Sequence, residues 1–354
     1  MPRKKSAHAL TDVQKRRIQT IRDGRLARWE GKRQKNLASL SEGFLGETRE
    51  GLVMAHFGAH VEVEDAEGNR CQCAVRESVT ENPVCGDRVL WQPSANGQGV
   101  VTDLQPRRSV LRRPGPYERL QTFAANVDQM VITTTAAFPN PHLLDRYLVA
   151  ASAAGVDPLL AINKSDLVDQ IQGLEHILAP YRQIGVPMLK LSATQGSGLV
   201  ELEKALRGRT SVFVGQSGVG KSSLIAQWIV DPTLRVGLIN PVTGKGRHTT
   251  SVARLYALSC GGRLIDSPGV REFNLHGVPP EDVPRHFPEV RPLLGGCRFP
   301  DCQHRQEPGC LVLAALSAGT IHPERLASLH RIVDSLLHNR SVGSQQKRQG
   351  GKYG

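Results

Sequence analysis

The sequence predicts an α/β domain built on a parallel sheet, with an OB-type β-barrel before it and a cysteine-bearing segment with helices after it. Three observations carry that prediction. From Val127 onward, apolar runs such as "VDQMVITTT", "DPLLAIN" and "TSVFVG" alternate with amphipathic stretches such as "HLLDRYLVAASAAG", the rhythm of a parallel sheet covered on both faces. Before it, "EGLVMAHFGAHVEVEDAEGNRCQCAVRE" and "CGDRVLWQPSANGQGVVTDLQPR" alternate apolar and polar residues between Gly, Asn and Pro turns, which suits short antiparallel strands. After it, three of the seven cysteines crowd into "CRFPDCQHRQEPGC".

In chain order, residues 1–42 read as a flexible basic arm, with Arg3, Lys4, Lys5, Arg16, Arg17 and Arg33 standing among few acids. Much of the formal net charge of +12 collects there, and such a block favours a polyanionic partner. No apolar run is long enough for a membrane span, and the charged start has no apolar core of a secretory signal. A cytoplasmic protein with no membrane partner is therefore expected. Residues 43–108 are expected to form the barrel, the OB type being the economical choice for about sixty residues of short strands. A basic, Pro- and Gly-punctuated linker is expected over 109–125, the α/β domain over 126–274, the cysteine segment over 275–338, and a disordered tail over 339–354.

The α/β segment carries its chemistry at strand ends, where open sheets of this class bind ligands. "GQSGVGKS" lies between an apolar strand and a helical stretch: Gly215, Gln216, Ser217, Gly218, Val219, Gly220, Lys221 and Ser222, followed by Ser223. Its small residues let backbone N–H groups surround phosphates, Lys221 reaches the outer phosphates, and Ser222 offers a hydroxyl to Mg²⁺. "NKSD", comprising Asn163, Lys164, Ser165 and Asp166, follows the strand "LLAI". The Asp166 carboxylate can accept from guanine N1–H and its exocyclic amine, a donor pair that adenine lacks. The Lys164 stem can pack on the base, and Asn163 can brace neighbouring loops. "LSAT" places Ser192 and Ala193 at the next strand end, with the Ala193 N–H as a donor for guanine O6. "LIDSPG" delivers Asp266 toward Mg²⁺ and Gly269 toward the γ-phosphate, and "GKGRHTTS" offers Thr249 or Thr250 to the metal.

These loops resemble those of translation-factor-type GTPases, but in the order base, base, phosphate, switch, switch. That order resembles the circularly permuted GTPase family, and the flanking barrel and cysteine motif make the chain similar to its members that depend on the small ribosomal subunit. The resemblance covers all but the extreme tails. It implies a monomeric GTP hydrolase, slow alone and stimulated by the 30S subunit, that binds 16S rRNA, assists late subunit maturation and leaves after converting GTP to GDP. After "DSPG" stands Val270, whose side chain cannot orient a water, so hydrolysis needs another group. His248, beside the switch threonines, is the candidate, and the resemblance points the same way. Two rival readings are a GTPase with a non-ribosomal target and an RNA-binding scaffold with little turnover.

Cys297, Cys302, His304 and Cys310 read C-x4-C-x-H-x5-C. Three thiolates and one imidazole close a tetrahedral Zn²⁺ shell with no open position, so a structural ion is expected. The chain runs from "DSPGVREF" straight into this segment, so γ-phosphate contacts at Gly269 and "GRHTT" are expected to bias its position.

Overall fold

A computed structural model describes residues 45–95, 97–114, 120–137, 139–170, 173–230, 253–266, 275 and 277–350. It divides into two units, residues 1–106 and 107–354. In the first, alternating Val-rich segments make five strands: β1 (Arg49–His56), β2 (His60–Glu64), β3 (Arg70–Val75), β4 (Arg88–Pro93) and β5 (Gly99–Leu104). They pair in the order β1-β2-β3-β5-β4, and β4 returns to β1, closing the barrel. The β3–β5 pair is parallel and the others antiparallel, a five-stranded closure of the OB type. Inward positions Val53, Val61, Val63, Val89, Trp91 and Val101 form one buried cluster. Trp91 fits because two neighbours lack a side chain: a Cβ on Gly51 would lie 2.8 Å from its ring, and one on Gly99 would lie 2.6 Å from it.

The second unit holds a sheet in the order β10-β9-β8-β11-β13-β12. Its strands are β8 (Gln129–Thr135), β9 (Asp157–Asn163), β10 (Met188–Lys190), β11 (Thr210–Val214), β12 (Arg254–Ala257) and β13 (Arg263–Asp266). All neighbours run parallel except β12 against β13. Strands buried on both faces read as continuous apolar runs, and Met130, Val131 and Ile132 of β8 are all at most 1% exposed. Between the strands lie α1 (Pro141–Ala154), α2 (Leu174–Gln183), α3 (Leu199–Leu206) and α4 (Lys221–Ile225). The Asn140 side chain caps α1 by accepting from the Leu143 N–H, Pro141 opens it, and left-handed Gly155 ends it, as helix-end chemistry requires.

Two of the expected segments differ in structure, and a third shares its core. The supposed linker contains β6 (Val110–Pro114) and β7 (Leu120–Ala125), an antiparallel pair. Its Arg and Pro residues suggested a loop, but Leu111, Phe123, Ala124 and Ala125 are buried, and Pro114 stands at a strand end where no ladder donor is needed. The expected tail is helical as far as Gly350, since α6 spans Pro323–Gly350 and no proline interrupts it. The cysteine segment, with α5 (Leu311–Ser317) and α6, does not own its core. Val149 and Ala150 of α1 belong to the same buried cluster as Phe287, Val290, Cys310, Ile321, Leu329 and Ile332.

Candidate functional site

The parallel register brings the predicted residues to one edge of the sheet. Thr135 pairs with Asn163, Ile132 pairs with Val214, and Val212 pairs with Ile265, one residue before Asp266. The ends of β8, β9, β11 and β13 therefore present "NKSD", the phosphate loop and Asp266 side by side.

The phosphate loop leaves β11 at Gly215 and enters α4 at Lys221. Two glycines are dictated by space and backbone together. Gly215 has φ 139°, and a Cβ there would meet the Thr133 carbonyl at 2.1 Å; Gly220 has φ 93°, and a Cβ would meet Asn163 Nδ2 at 2.2 Å. Only glycine takes such positions without strain. Lys221 folds over the loop, its Nζ donating to the carbonyls of Gly215 (2.7 Å) and Gln216 (2.5 Å). Gln216, Ser217 and Gly218 are exposed, and Ser222 is half-buried at the start of α4.

Asn163 ties three loops together. It is 2% exposed, its Nδ2 donates to the Val219 carbonyl at 2.9 Å, and its Oδ1 accepts from the Ala193 N–H at 3.2 Å. The brace expected of Asn163 is thus present, while the Ala193 N–H, expected to reach guanine O6, is engaged by that brace. Ser192 is fully buried and its hydroxyl accepts from the Gln195 N–H at 3.1 Å, so its work is to shape the loop. Lys164 adopts a left-handed φ of 60°, which turns the chain so that Lys164 and Asp166 stand exposed beyond the strand. An exposed carboxylate beside a phosphate loop can read a base edge.

One contact escaped sequence reasoning. The Thr133 carbonyl backs Gly215, a closeness that has no local motif and follows from strand placement. His248, Thr249, Thr250 and Gly269, together with Val270, lie outside the described residues, as does the arm up to residue 44.

The second site stands between the last 3₁₀ turn, Arg291–Leu293, and α5. Cys297, Cys302, His304 and Cys310 could hold a metal ion, their ligand atoms all lying within 4.8 Å of one another. Cys297 Sγ is 3.9 Å from Cys310 Sγ, and His304 Nδ1 is 3.4 and 3.7 Å from the Cys310 and Cys297 sulfurs. A tetrahedral zinc site implies about 3.8 Å between sulfurs and about 3.6 Å from sulfur to nitrogen, so the donor set fits. Glu307 was missed: its carboxylate accepts from the N–H groups of Gln303 (2.8 Å), Arg305 (2.8 Å) and Gln306 (3.0 Å). Those donors, Gln303 first, pull its pKa down to about 2. An acid between two ligands in a Gly- and Pro-bearing turn was the available signal. Among the described residues, no helix is long and apolar enough to cross a membrane.

With this geometry in place, comparison with known proteins gives a consistent result. A family profile described as RsgA GTPase matches residues 104–276. A protein of Azotobacter vinelandii, "Small ribosomal subunit biogenesis GTPase RsgA", is 48% identical over 335 residues, covering 92% of this chain and 97% of its own. A protein of Pseudomonas aeruginosa with the same name is 47% identical, covering 92% and 97%. Among solved structures, YjeQ from Thermotoga maritima matches with a TM-score of 0.67 and 31% identity, covering 82% of this chain and 99% of that one. YloQ, described as a circularly permuted GTPase, matches with a TM-score of 0.66 and 26% identity, covering 83% and 96%.

Proposed function

The chain belongs to the RsgA GTPase family, and from that premise we propose how its residues serve a GTPase of small ribosomal subunit biogenesis. The observation that carries the reading is Asn163, whose side chain joins the base-side loops to the phosphate loop. At that junction Asp166 reads the guanine edge, the Lys164 stem covers the base, and Ser165, Ser192 and Ala193 shape the base side. Residues 215–221 wrap the phosphates, with Lys221 exchanging its loop carbonyls for phosphate oxygens, and Ser223 flanks them. Ser222 and Asp266 would hold Mg²⁺, which when bound neutralises charge on the phosphates. Thr249 or Thr250 and Gly269 close on the outer phosphate, and His248 orients the attacking water. Zn²⁺ is the proposed structural ion at Cys297, Cys302, His304 and Cys310. The protein acts as a cytoplasmic monomer on the 30S subunit through 16S rRNA, and GTP hydrolysis releases it.

Phosphate release with and without 30S subunits tests this reading. Turnover is expected to be slow alone and to rise by at least tenfold with subunits, a difference of about 1.4 kcal/mol in barrier. A His248→Ala variant should lose the stimulated rate and retain GTP affinity. Unchanged turnover on adding subunits would remove the ribosomal reading, and full stimulation of His248→Ala would remove the role given to that residue.

A further inference from the structure

The turn that carries His304 is built round one carboxylate. His304 has a left-handed φ of 61°, a conformation uncommon for any residue but glycine. Such a reversal directs neighbouring backbone N–H groups toward one point, a concavity suited to an anion. The chain supplies that anion itself. Glu307 Oε1 accepts from the Gln303 N–H at 2.8 Å, and its Oε2 accepts from the N–H groups of Arg305 at 2.8 Å and Gln306 at 3.0 Å. Hydrogen bonds to an ionised acceptor are about twice as strong as those between neutral groups.

Glu307 also holds the chain on the other side of the cluster, because its backbone carbonyl accepts from the Cys310 N–H at 3.3 Å. It is thus bonded toward two of the four candidate ligands, His304 before it and Cys310 after it. The turn has a second tie, from Arg305 Nη2 to Asp334 Oδ1 of α6 at 2.5 Å, but those side chains are 40% and 57% exposed. Exposed pairs of that kind add little. Charge alone gives Glu307 no reason to stand here. Three thiolates on one Zn²⁺ leave the filled site with a net negative charge, and a further carboxylate nearby is a like charge that disfavours it. The contribution of the side chain therefore lies in the hydrogen bonds it accepts.

We infer that Glu307 is a positioning residue of the metal site: its carboxylate fixes the turn over residues 303–306, so that His304 Nδ1 faces the Cys297 and Cys310 sulfurs. The inference rests on the zinc reading above and adds to it a residue that is not a ligand. Positioning and charge predict opposite signs. If Glu307 acts by holding the turn, its removal weakens metal binding; if it acts only as a nearby charge, its removal leaves binding unchanged or tightens it. Substitution isolates the side chain cleanly, since the backbone carbonyl that serves Cys310 remains in every variant.

The test uses the full chain loaded with Zn²⁺ and reads transfer of the ion to a chromogenic chelator at equilibrium. Glu307→Ala is expected to weaken Zn²⁺ affinity roughly tenfold or more, the usual loss when a group that orients metal ligands is removed. Glu307→Gln keeps the length and one acceptor and should fall between Ala and the wild type; it decides the matter should Glu307→Ala not fold. Two controls separate the alternatives. Asp301→Asn removes an exposed charge beside Cys302, and Asp334→Asn removes the partner of Arg305; each should stay within about threefold of the wild type. Co²⁺-loaded Glu307→Gln should keep the wild-type absorption bands, because all four ligands remain. Affinity in Glu307→Gln equal to or above that of the wild type, or an equal loss in Asp301→Asn, would overturn the positioning role. A wild-type chain that holds neither Zn²⁺ nor Co²⁺ removes the metal reading itself, and the inference with it.

Discussion

The barrel and the cysteine segment are both small, yet they are held together on different principles. The barrel closes its own hydrogen-bond ladder from β1 round to β4 and fills the interior with its own Val and Trp side chains. The cysteine segment has no strand among its described residues, borrows Val149 and Ala150 of α1 for its core, and adds a four-residue metal-ligand cluster and a buried ion network. A module that owns its core can be stable alone; one that shares a core is answerable to the domain it packs on. The difference teaches which module can report on nucleotide state.

The largest effect should come from removing the metal. A chelator, or Cys310→Ala, takes away binding free energy that amounts to about 10–16 kcal/mol in isolated zinc-binding peptides. Residues 277–340 should then become sensitive to protease while residues 45–104 stay protected, with both followed by mass spectrometry of the fragments. A barrel digested together with the segment would break the comparison.

Next come two aromatic deletions of similar intrinsic cost. Phe287 is 0% exposed and Trp91 is 3% exposed, and truncating such a residue to Ala costs about 3–5 kcal/mol. Phe287→Ala should weaken GDP binding at least several-fold, because its cluster includes part of α1. Trp91→Ala should destabilise the barrel and leave GDP affinity at the wild-type value. Urea unfolding and GDP titration on the same samples check both halves, and equal losses of affinity would erase the distinction.

The legible parts of the molecule were those with local causes. "GQSGVGKS" betrayed its loop because Gly215 and Gly220 answer to a steric demand that leaves a mark on residue type. The barrel was legible in its alternation, and the ligand cluster in its close spacing. Asp145 and Arg325 gave no sign, being 180 positions apart; in a sequence each reads as one charge on an amphipathic helix. The strand pair at Val110–Pro114 and Leu120–Ala125 was hidden because Arg and Pro outweighed Leu111 and Phe123 in a local reading. The shared core was hidden for a related reason: an apolar stripe on α1 tells that it is buried, not by what.

The smallest effect is one of pH, and it falls where α1 meets the cysteine segment. His142 of α1 lies 3.4 Å from the Ser328 hydroxyl, and His286 shares a 3.0 Å hydrogen bond with Ser152 of α1. Burial lowers the pKa of both rings; Arg146 and Arg331 push His142 down further against the pull of Asp145, and at His286 the opposing Asp282 and Arg285 do not reverse the direction. A folded pKa below the unfolded value of about 6.5 means that the unfolded chain binds more protons as pH falls. The stability these histidines contribute is thus complete above the unfolded value and is lost as pH drops through it toward the folded one. Between pH 7.5 and 5.5 the melting temperature of the second unit should fall by about 2 °C or less on this account. The barrel cluster of Val, Cys and Trp contains no histidine and should show no matching slope. Replacing His142 and His286 with Asn should reduce the slope in the second unit and leave a remainder to groups such as His330, whose pKa burial also lowers; a slope unchanged by both replacements would place the titrating groups elsewhere.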